Sequence, residues 1–233
     1  MNQRFPLTAN YDPSWINENK MGPNPLWLVE ELVREMNLTP GMKVLDLGCG
    51  KGLTSIFLAK EFGVQVWASD LWIDPTENLS RIRTAGVESL VYPIKAEAHS
   101  MPFPDEFFDC IISIDAYHYF GTDELFLSWY LKKLVKKGSE IGIVVPGVKR
   151  EVSNEQDLPY KLRELWTDDL YTFHTAEWWG NHWSKTKTVT INQVEYIKDS
   201  HNLWWQSNCD TELLNADEEE LLTFVKFIAT RIV

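Results

Sequence analysis

An apolar run that breaks into three glycines and restarts as a helix constrains this chain more than any other stretch. Val44, Leu45 and Leu47 flank a single acid, Asp46, and lead to Gly48, Gly50 and Gly52, each two residues from the next. A helical pattern follows at once, from Leu53 to Phe62. Strand, glycine turn and helix in this order are the layout of a nucleotide-type binding site. Backbone without side chains lets a ligand approach closely, and the start of the helix offers unpaired N–H groups and a partial positive charge.

The rest of the first two thirds repeats the alternation. Asn24-Pro25 predicts a helix start, with an apolar stripe through Leu28, Val29, Leu32, Val33 and Met36. Strands are expected at 43–47, 64–68, 90–95, 108–114 and 141–145. Helices are expected at 53–62, at 74–85 behind an Asp-Pro start, and at 122–137, where four lysines (132, 133, 136, 137) complement the helix dipole ahead of Gly138. Alternating strands and helices with right-handed crossovers give an α/β, doubly wound, mostly parallel sheet with helices on both faces. Beyond Pro146 the pattern changes. A polar stretch fills 147–176, a helix is expected at 177–185, a strand at 188–197, an acidic helix at 210–222 and a strand at 224–233.

A chain of 233 residues, 44% hydrophobic, suits one domain with a full core. Its expected parts are an arm or lid at 1–23, a ligand-binding core at 24–146, an insertion at 147–176 shaping a substrate pocket, and C-terminal helices and strands at 177–233. Net charge is −12. A surface this acidic repels phosphate backbones and anionic membranes, so no nucleic-acid or membrane partner is expected. Three widely spaced cysteines (49, 110 and 209) form neither a disulfide framework nor a metal site, so no metal is expected. Without a signal-like or membrane-length apolar segment, the chain reads as soluble and cytoplasmic.

Four positions fall at the ends of successive strands: the glycine loop, Asp70, Glu97-Ala98 and Asp115. In an open parallel sheet these ends converge on one crevice. An acid at the end of the second strand, such as Asp70, accepts ribose hydroxyls or merely caps a turn. The loop departs from the dinucleotide pattern Gly-x-Gly-x-x-Gly, because its third glycine comes one residue early and Leu53 stands in its place. Asp46 beside the loop would repel a phosphate and suits a ligand with a positive end.

The chain here resembles the class I S-adenosylmethionine-dependent methyltransferases. The resemblance rests on Val44-Leu45-Asp46-Leu47-Gly48-Cys49-Gly50-Lys51-Gly52, Asp70-Leu71, Glu97-Ala98-His99-Ser100-Met101-Pro102-Phe103 and Phe108-Asp109-Cys110-Ile111-Ile112-Ser113. It covers roughly residues 40–146. It implies a Rossmann-like sheet of seven strands, the last two at 188–197 and 224–233, one of them antiparallel. It also implies methyl transfer from S-adenosyl-L-methionine to a small-molecule acceptor, leaving S-adenosyl-L-homocysteine. Gly48, Cys49 and Gly50 would hold the methionine part, with Asp46 near its ammonium. Asp70 would take the ribose, Leu71 and Trp72 would flank the adenine, and Glu97 with the Ala98 N–H would reach its edge. The family usually has Asp where this chain has Glu97.

Two rival functions remain open at this stage. One is a nicotinamide-dependent oxidoreductase on a related fold, which the early third glycine and Asp46 disfavour. The other is a non-catalytic S-adenosylmethionine-binding protein, since methyl transfer demands no obligatory catalytic side chain. Lipid methylene chemistry of the cyclopropane-synthase kind lacks a basic docking helix. His118 is the candidate base because its free pKa lies near neutrality, and its alternative is a structural histidine in a loop. Asp115 either orients substrate or caps a turn. Tyr11, Tyr117 and Tyr119 are candidate substrate contacts, the latter two equally candidates for packing. Trp166, Trp178, Trp179, Trp183, Trp204 and Trp205 form an aromatic lid, a packed core or a homo-oligomer interface.

Overall fold

The glycine loop sits at the centre of the sheet. A computed structural model, which describes residues 4–233, has seven strands: β1 (Lys43–Leu47), β2 (Gln65–Asp70), β3 (Val91–Lys95), β4 (Phe108–Ile114), β5 (Val135–Val148), β6 (Val189–Tyr196) and β7 (Leu222–Arg231). Their spatial order is 3-2-1-4-5-7-6. Strands β1 to β5 pair in parallel, and β7 runs antiparallel between β5 and β6. Strand order reverses between β1 and β4, which is where an open α/β sheet forms its crevice.

Among the described residues eight α-helices surround the sheet: α1 (Pro13–Asn19), α2 (Pro25–Val33), α3 (Leu53–Phe62), α4 (Pro75–Thr84), α5 (Lys132–Leu134), α6 (Ala176–Lys185), α7 (Ser200–Gln206) and α8 (Thr211–Ala216). Local chemistry fixes several starts. Asp12, Asn24 and Asp74 each accept the N–H two residues on, with proline at the first helical position. Gly63 ends α3 in the left-handed region, as its place after Phe62 predicts. The two faces bury separate cores. One packs Leu32, Val33, Ile56, Phe57 and Phe224; the other packs Leu45, Ile111, Tyr117, Trp179, Trp183 and Phe227. Among the described residues no helix is long and apolar enough to cross a membrane.

The structure corrects two of the expected helices. Residues 122–137 do not form one helix. A π-helical stretch, Phe126–Leu131, runs into the single turn α5, and β5 begins already at Val135. Val135 pairs with Phe108 and is fully buried, so the chain leaves the helix to fill the core. Gly138, at φ 80°, bends the strand within a bulge and is not a helix cap. Lys136 therefore belongs to the strand, where it pairs with Asp109 at 2.5 Å. The acidic segment 210–222 is helical only over α8. The buried Asp217 then accepts the N–H groups of Leu221 and Leu222, both at 2.7 Å, and turns the chain into β7. Helix α7 was not foreseen. The tryptophans resolve mainly as core: Trp179 and Trp183 are fully buried, Trp166 and Trp204 nearly so, and Trp205 is exposed.

Candidate active site

A cavity of about 370 Å³ opens above the C-terminal ends of β1, β2 and β4. Its floor is the glycine loop. Gly48, Gly50 and Gly52 all have positive φ (76°, 53° and 80°). A side chain at Gly48 would put its Cβ 2.4 Å from that of Ala116, and one at Gly50 would come within 3.0 Å of the Met21 sulfur. The N–H groups of Gly48 and Cys49 both bond the Ser69 carbonyl, at 2.8 and 3.0 Å, which ties the loop to the end of β2. Asn78 of α4 adds a third tie by donating to the Gly50 carbonyl at 2.9 Å. Sequence reasoning missed Asn78, since an asparagine inside a helix gives no local signal.

Asp70 stands beside the loop, nearly buried, and lines the cavity. One oxygen accepts the Trp72 and Ile73 N–H groups at 2.8 and 3.0 Å, and the other accepts the Gly50 N–H at 2.8 Å. The carboxylate thus serves as a turn cap and as a loop strut. Its Gly50-facing oxygen keeps a free lone pair for a hydroxyl. Leu71 and Trp72 project into the cavity mouth, 47% and 66% exposed. Glu97, Ala98 and His99 line the next wall. Glu97 binds its neighbour His99, at 3.0 Å to the backbone N–H and 2.7 Å to Nδ1. Burial works to raise its pKa, but the His99 bonds outweigh that and hold it below the ordinary carboxylate value.

Asp46 does not line the cavity. It is fully buried beneath the loop, where one oxygen accepts the hydroxyls of Thr54 and Ser55, both at 2.5 Å, at the start of α3. Its other oxygen has no partner among the described residues. Burial, opposed by those hydroxyls and reinforced by the Asp70 charge, pushes its pKa up to about 6. An orphaned carboxylate oxygen under a glycine cradle fits a ligand with a positive end and does not fit a pyrophosphate.

The far wall comes from two segments. Residues 115–120 after β4 supply Asp115, Ala116, Tyr119 and Phe120, and the arm supplies Asn19, Lys20, Met21, Gly22 and Pro23. The arm is tied down by Lys51 reaching the Glu18 carbonyl at 3.3 Å and by Arg81 reaching Asn19 at 3.2 Å. The Asn24 N–H also donates to the Ser207 hydroxyl at 2.9 Å, across the whole chain. Residues 147–176 supply none of the lining. They pack behind the 117–119 turn, with Phe173 against His118 at 5.4 Å between ring centroids.

Besides Asp46, three expected site residues are displaced. His118 is 3% exposed, lines no part of the cavity, and leaves Nδ1 without a partner among the described residues. Burial drives its pKa down to about 3, which makes the imidazole a weak proton acceptor, set back from the cavity in the core. Its short 3-10 turn, Tyr117–Tyr119, turns it inward and Tyr119 outward. Tyr117 is fully buried against Trp179, Trp183 and Phe227. Tyr11 packs on Phe57 and donates to Glu61 at 2.8 Å, away from the cavity. Asp115 and Tyr119 remain at the wall.

Residues 44–138 match a family described as a methyltransferase domain. Phosphoethanolamine N-methyltransferase 1 of Arabidopsis thaliana is 34% identical over 147 residues, which is 60% of this chain and 29% of that protein. The glycine/sarcosine/dimethylglycine N-methyltransferase of Actinopolyspora halophila is 26% identical over 198 residues, 84% of this chain and 34% of that protein. The chain thus spans about a third or less of the length of these relatives. Among solved structures, Haemonchus contortus phosphoethanolamine N-methyltransferase 2 in complex with S-adenosyl-L-methionine superposes with a TM-score of 0.73 at 19% identity, over 100% of this chain and 59% of that one. Geranyl diphosphate C-methyltransferase from Streptomyces coelicolor A3(2) gives 0.70 at 13% identity, over 88% and 77%.

Proposed function

We propose that the chain is a class I S-adenosylmethionine-dependent methyltransferase, a reading supported by the match of residues 44–138 to a methyltransferase domain, and that it transfers a methyl group from S-adenosylmethionine to a small-molecule acceptor. One observation carries the reading. A single cavity joins the glycine loop, Asp70, Leu71–Trp72 and Glu97–Ala98, the four sites a methionine, a ribose and an adenine require.

The bound sulfonium supplies an electrophilic methyl group, and the chain's task is to hold and align its surroundings. Gly48 to Gly50 present bare backbone to the methionine part. Asp46 lends negative charge from beneath, and Asp70 offers its Gly50-facing oxygen to the ribose. Leu71 and Trp72 cover the adenine, with the Ala98 N–H and Glu97 at its edge. The arm at 19–23 and the 115–120 turn close the opposite side, exclude water and leave the acceptor one direction of approach. Alignment of this kind is worth about 7–11 kcal/mol. Three free cysteines, two of them buried, suit a reducing compartment, so we place the protein in the cytoplasm.

The test is transfer of labelled methyl from S-adenosylmethionine into fractionated cell extract. Label in the small-molecule fraction is expected. Label confined to protein or nucleic acid, or tight cofactor binding with no transfer at all, would overturn the reading.

A further inference from the structure

The carboxylate at the adenine end of the cavity is clamped by a neighbour that the cofactor reading has not yet used. Glu97 follows β3, lines the cavity and has a side chain 47% exposed. A glutamate so placed, with three rotatable bonds, ordinarily samples many rotamers, and ordering it on a ligand costs affinity. Here one residue engages both of its oxygens. Oε2 accepts the His99 backbone N–H at 3.0 Å, and Oε1 faces His99 Nδ1 at 2.7 Å. An ionised carboxylate only accepts, so the proton of the second contact sits on Nδ1. Each oxygen keeps a further lone pair, which leaves the clamped carboxylate able to accept from a ligand.

His99 is gripped in turn by the segment that follows β4. Its Nε2 stands 3.9 Å from Asp123 Oδ2, and the other oxygen of Asp123 accepts the Leu125 N–H at 2.9 Å. Its ring makes T-shaped contacts with Phe126 and Tyr130, at 4.9 and 5.0 Å between centroids. Those two rings stack on each other at 6.1 Å, and Phe126 is fully buried, so the grip is anchored in the core. Both rings belong to the π-helical stretch Phe126–Leu131. Turns of this kind are rare and gather at functional sites. The segment after β4 thus holds the histidine after β3, and the histidine holds the glutamate.

A fixed acceptor discriminates where a mobile one does not. An acceptor-only carboxylate gains from the exocyclic amino group of adenine and opposes a carbonyl oxygen at the same ring position. A free glutamate would turn from that carbonyl into water at little cost. A clamped one stays, and the mismatch is felt in full. We propose that His99 sets the selectivity of the cofactor site for the adenine amino group, by fixing the Glu97 carboxylate that accepts from it. His99 acts through Glu97 and is a positioning residue. The inference rests on the methyl-transfer reading above and deepens it at the adenine end.

The experiment titrates the full chain with S-adenosylhomocysteine and with S-inosylhomocysteine, in which a carbonyl replaces the amino group. The wild-type chain is expected to prefer the adenine compound about tenfold or more. His99→Phe keeps a ring against Phe126 and Tyr130 but removes the Nδ1 donor. It is expected to cut the preference below about threefold, by weakening the adenine compound and leaving the inosine compound unchanged or tighter. His99→Asn returns an N–H near the place of Nδ1 and should restore most of the preference. Glu97→Gln should abolish it, and adding His99→Phe to Glu97→Gln should change it no further, since the histidine acts through the glutamate. No preference in the wild-type chain, a preference that survives His99→Phe, equal weakening of both compounds by that variant, or additive losses in the double variant overturns the assignment. Failure of either compound to bind the wild-type chain overturns the methyl-transfer reading instead.

Discussion

Removing the Asp70 carboxylate is expected to damage the cofactor site twice, and the two losses can be measured apart. Its oxygens accept three backbone N–H groups at 2.8–3.0 Å, two from the 72–73 turn and one from Gly50. Hydrogen bonds to a charged acceptor contribute about 1.5–3 kcal/mol each. The turn donors lie beside the exposed Trp72 and regain water, while the Gly50 donor lies under Met21 and does not. Asp70→Ala should therefore cost about 2–4 kcal/mol of stability, near the worth of one bond with part of a second. Affinity for S-adenosylhomocysteine should fall by a further 1–3 kcal/mol or so through the lost ribose acceptor, roughly 5- to 150-fold. Asp70→Asn separates the contributions. Its single carbonyl oxygen can serve the turn, but its amide then meets the Gly50 N–H donor to donor. Stability should drop only by about 1–2 kcal/mol, yet affinity should fall nearly as far as in the alanine variant. Urea unfolding gives the first quantity and titration calorimetry the second. A folded Asp70→Asn protein with unchanged affinity would refute both the ribose role and the strut role.

Other expectations follow from the same geometry. Asp46 is fully buried with its pKa raised from 3.8 to about 6, so the folded state holds its proton more tightly than the unfolded state. Its contribution to stability is therefore present below pH 4 and lost as pH rises through 6, a cost on the order of 3 kcal/mol at neutrality. The stability of Asp46→Asn relative to wild type should grow across that window in urea titrations at several pH values, and a flat difference would contradict the burial argument. His118 has the opposite sign. Its folded pKa of about 3 lies below the ordinary 6.5, so it contributes stability above pH 6.5 that is lost as pH falls towards 3. His118→Phe should fold, flatten that acid limb and keep methyl transfer, and loss of transfer in a stable variant would restore His118 as the base. Gly22→Ala should push against Asp115 at 2.7 Å and raise the acceptor KM while leaving cofactor affinity in calorimetry within about twofold. A change in cofactor affinity alone would place the arm on the wrong wall.

The residues whose signal is local were legible without coordinates. The strand, glycine loop and helix at 43–62 and the Asp-Pro and Asn-Pro helix starts appear where the chain places them. The parallel order of β1 to β5 follows from alternation, and the acid at the end of β2 lies on the cavity wall. What failed depended on packing. Val135 leaves a helical pattern because Phe108 and the second core claim it. His118 and Tyr119 are adjacent, yet a tight 3-10 turn sends one inward and one outward, and no periodicity reports that. Asp46 matches a family position but lies under the loop, since two hydroxyls of α3 claim it. Asn78 and Ser207 escaped notice because their partners lie 28 and 183 positions away in the sequence.

The central claim is that the cavity over the glycine loop holds S-adenosylmethionine. Titration calorimetry of the full chain with S-adenosylmethionine, and separately with NAD, tests it most directly. The account predicts one S-adenosylmethionine bound per chain, no measurable NAD binding, and loss of the signal in Gly48→Ala, where the new Cβ meets Ala116 at 2.4 Å on a backbone of positive φ. Binding of NAD in its place, or S-adenosylmethionine affinity untouched by Gly48→Ala in a folded protein, would contradict it.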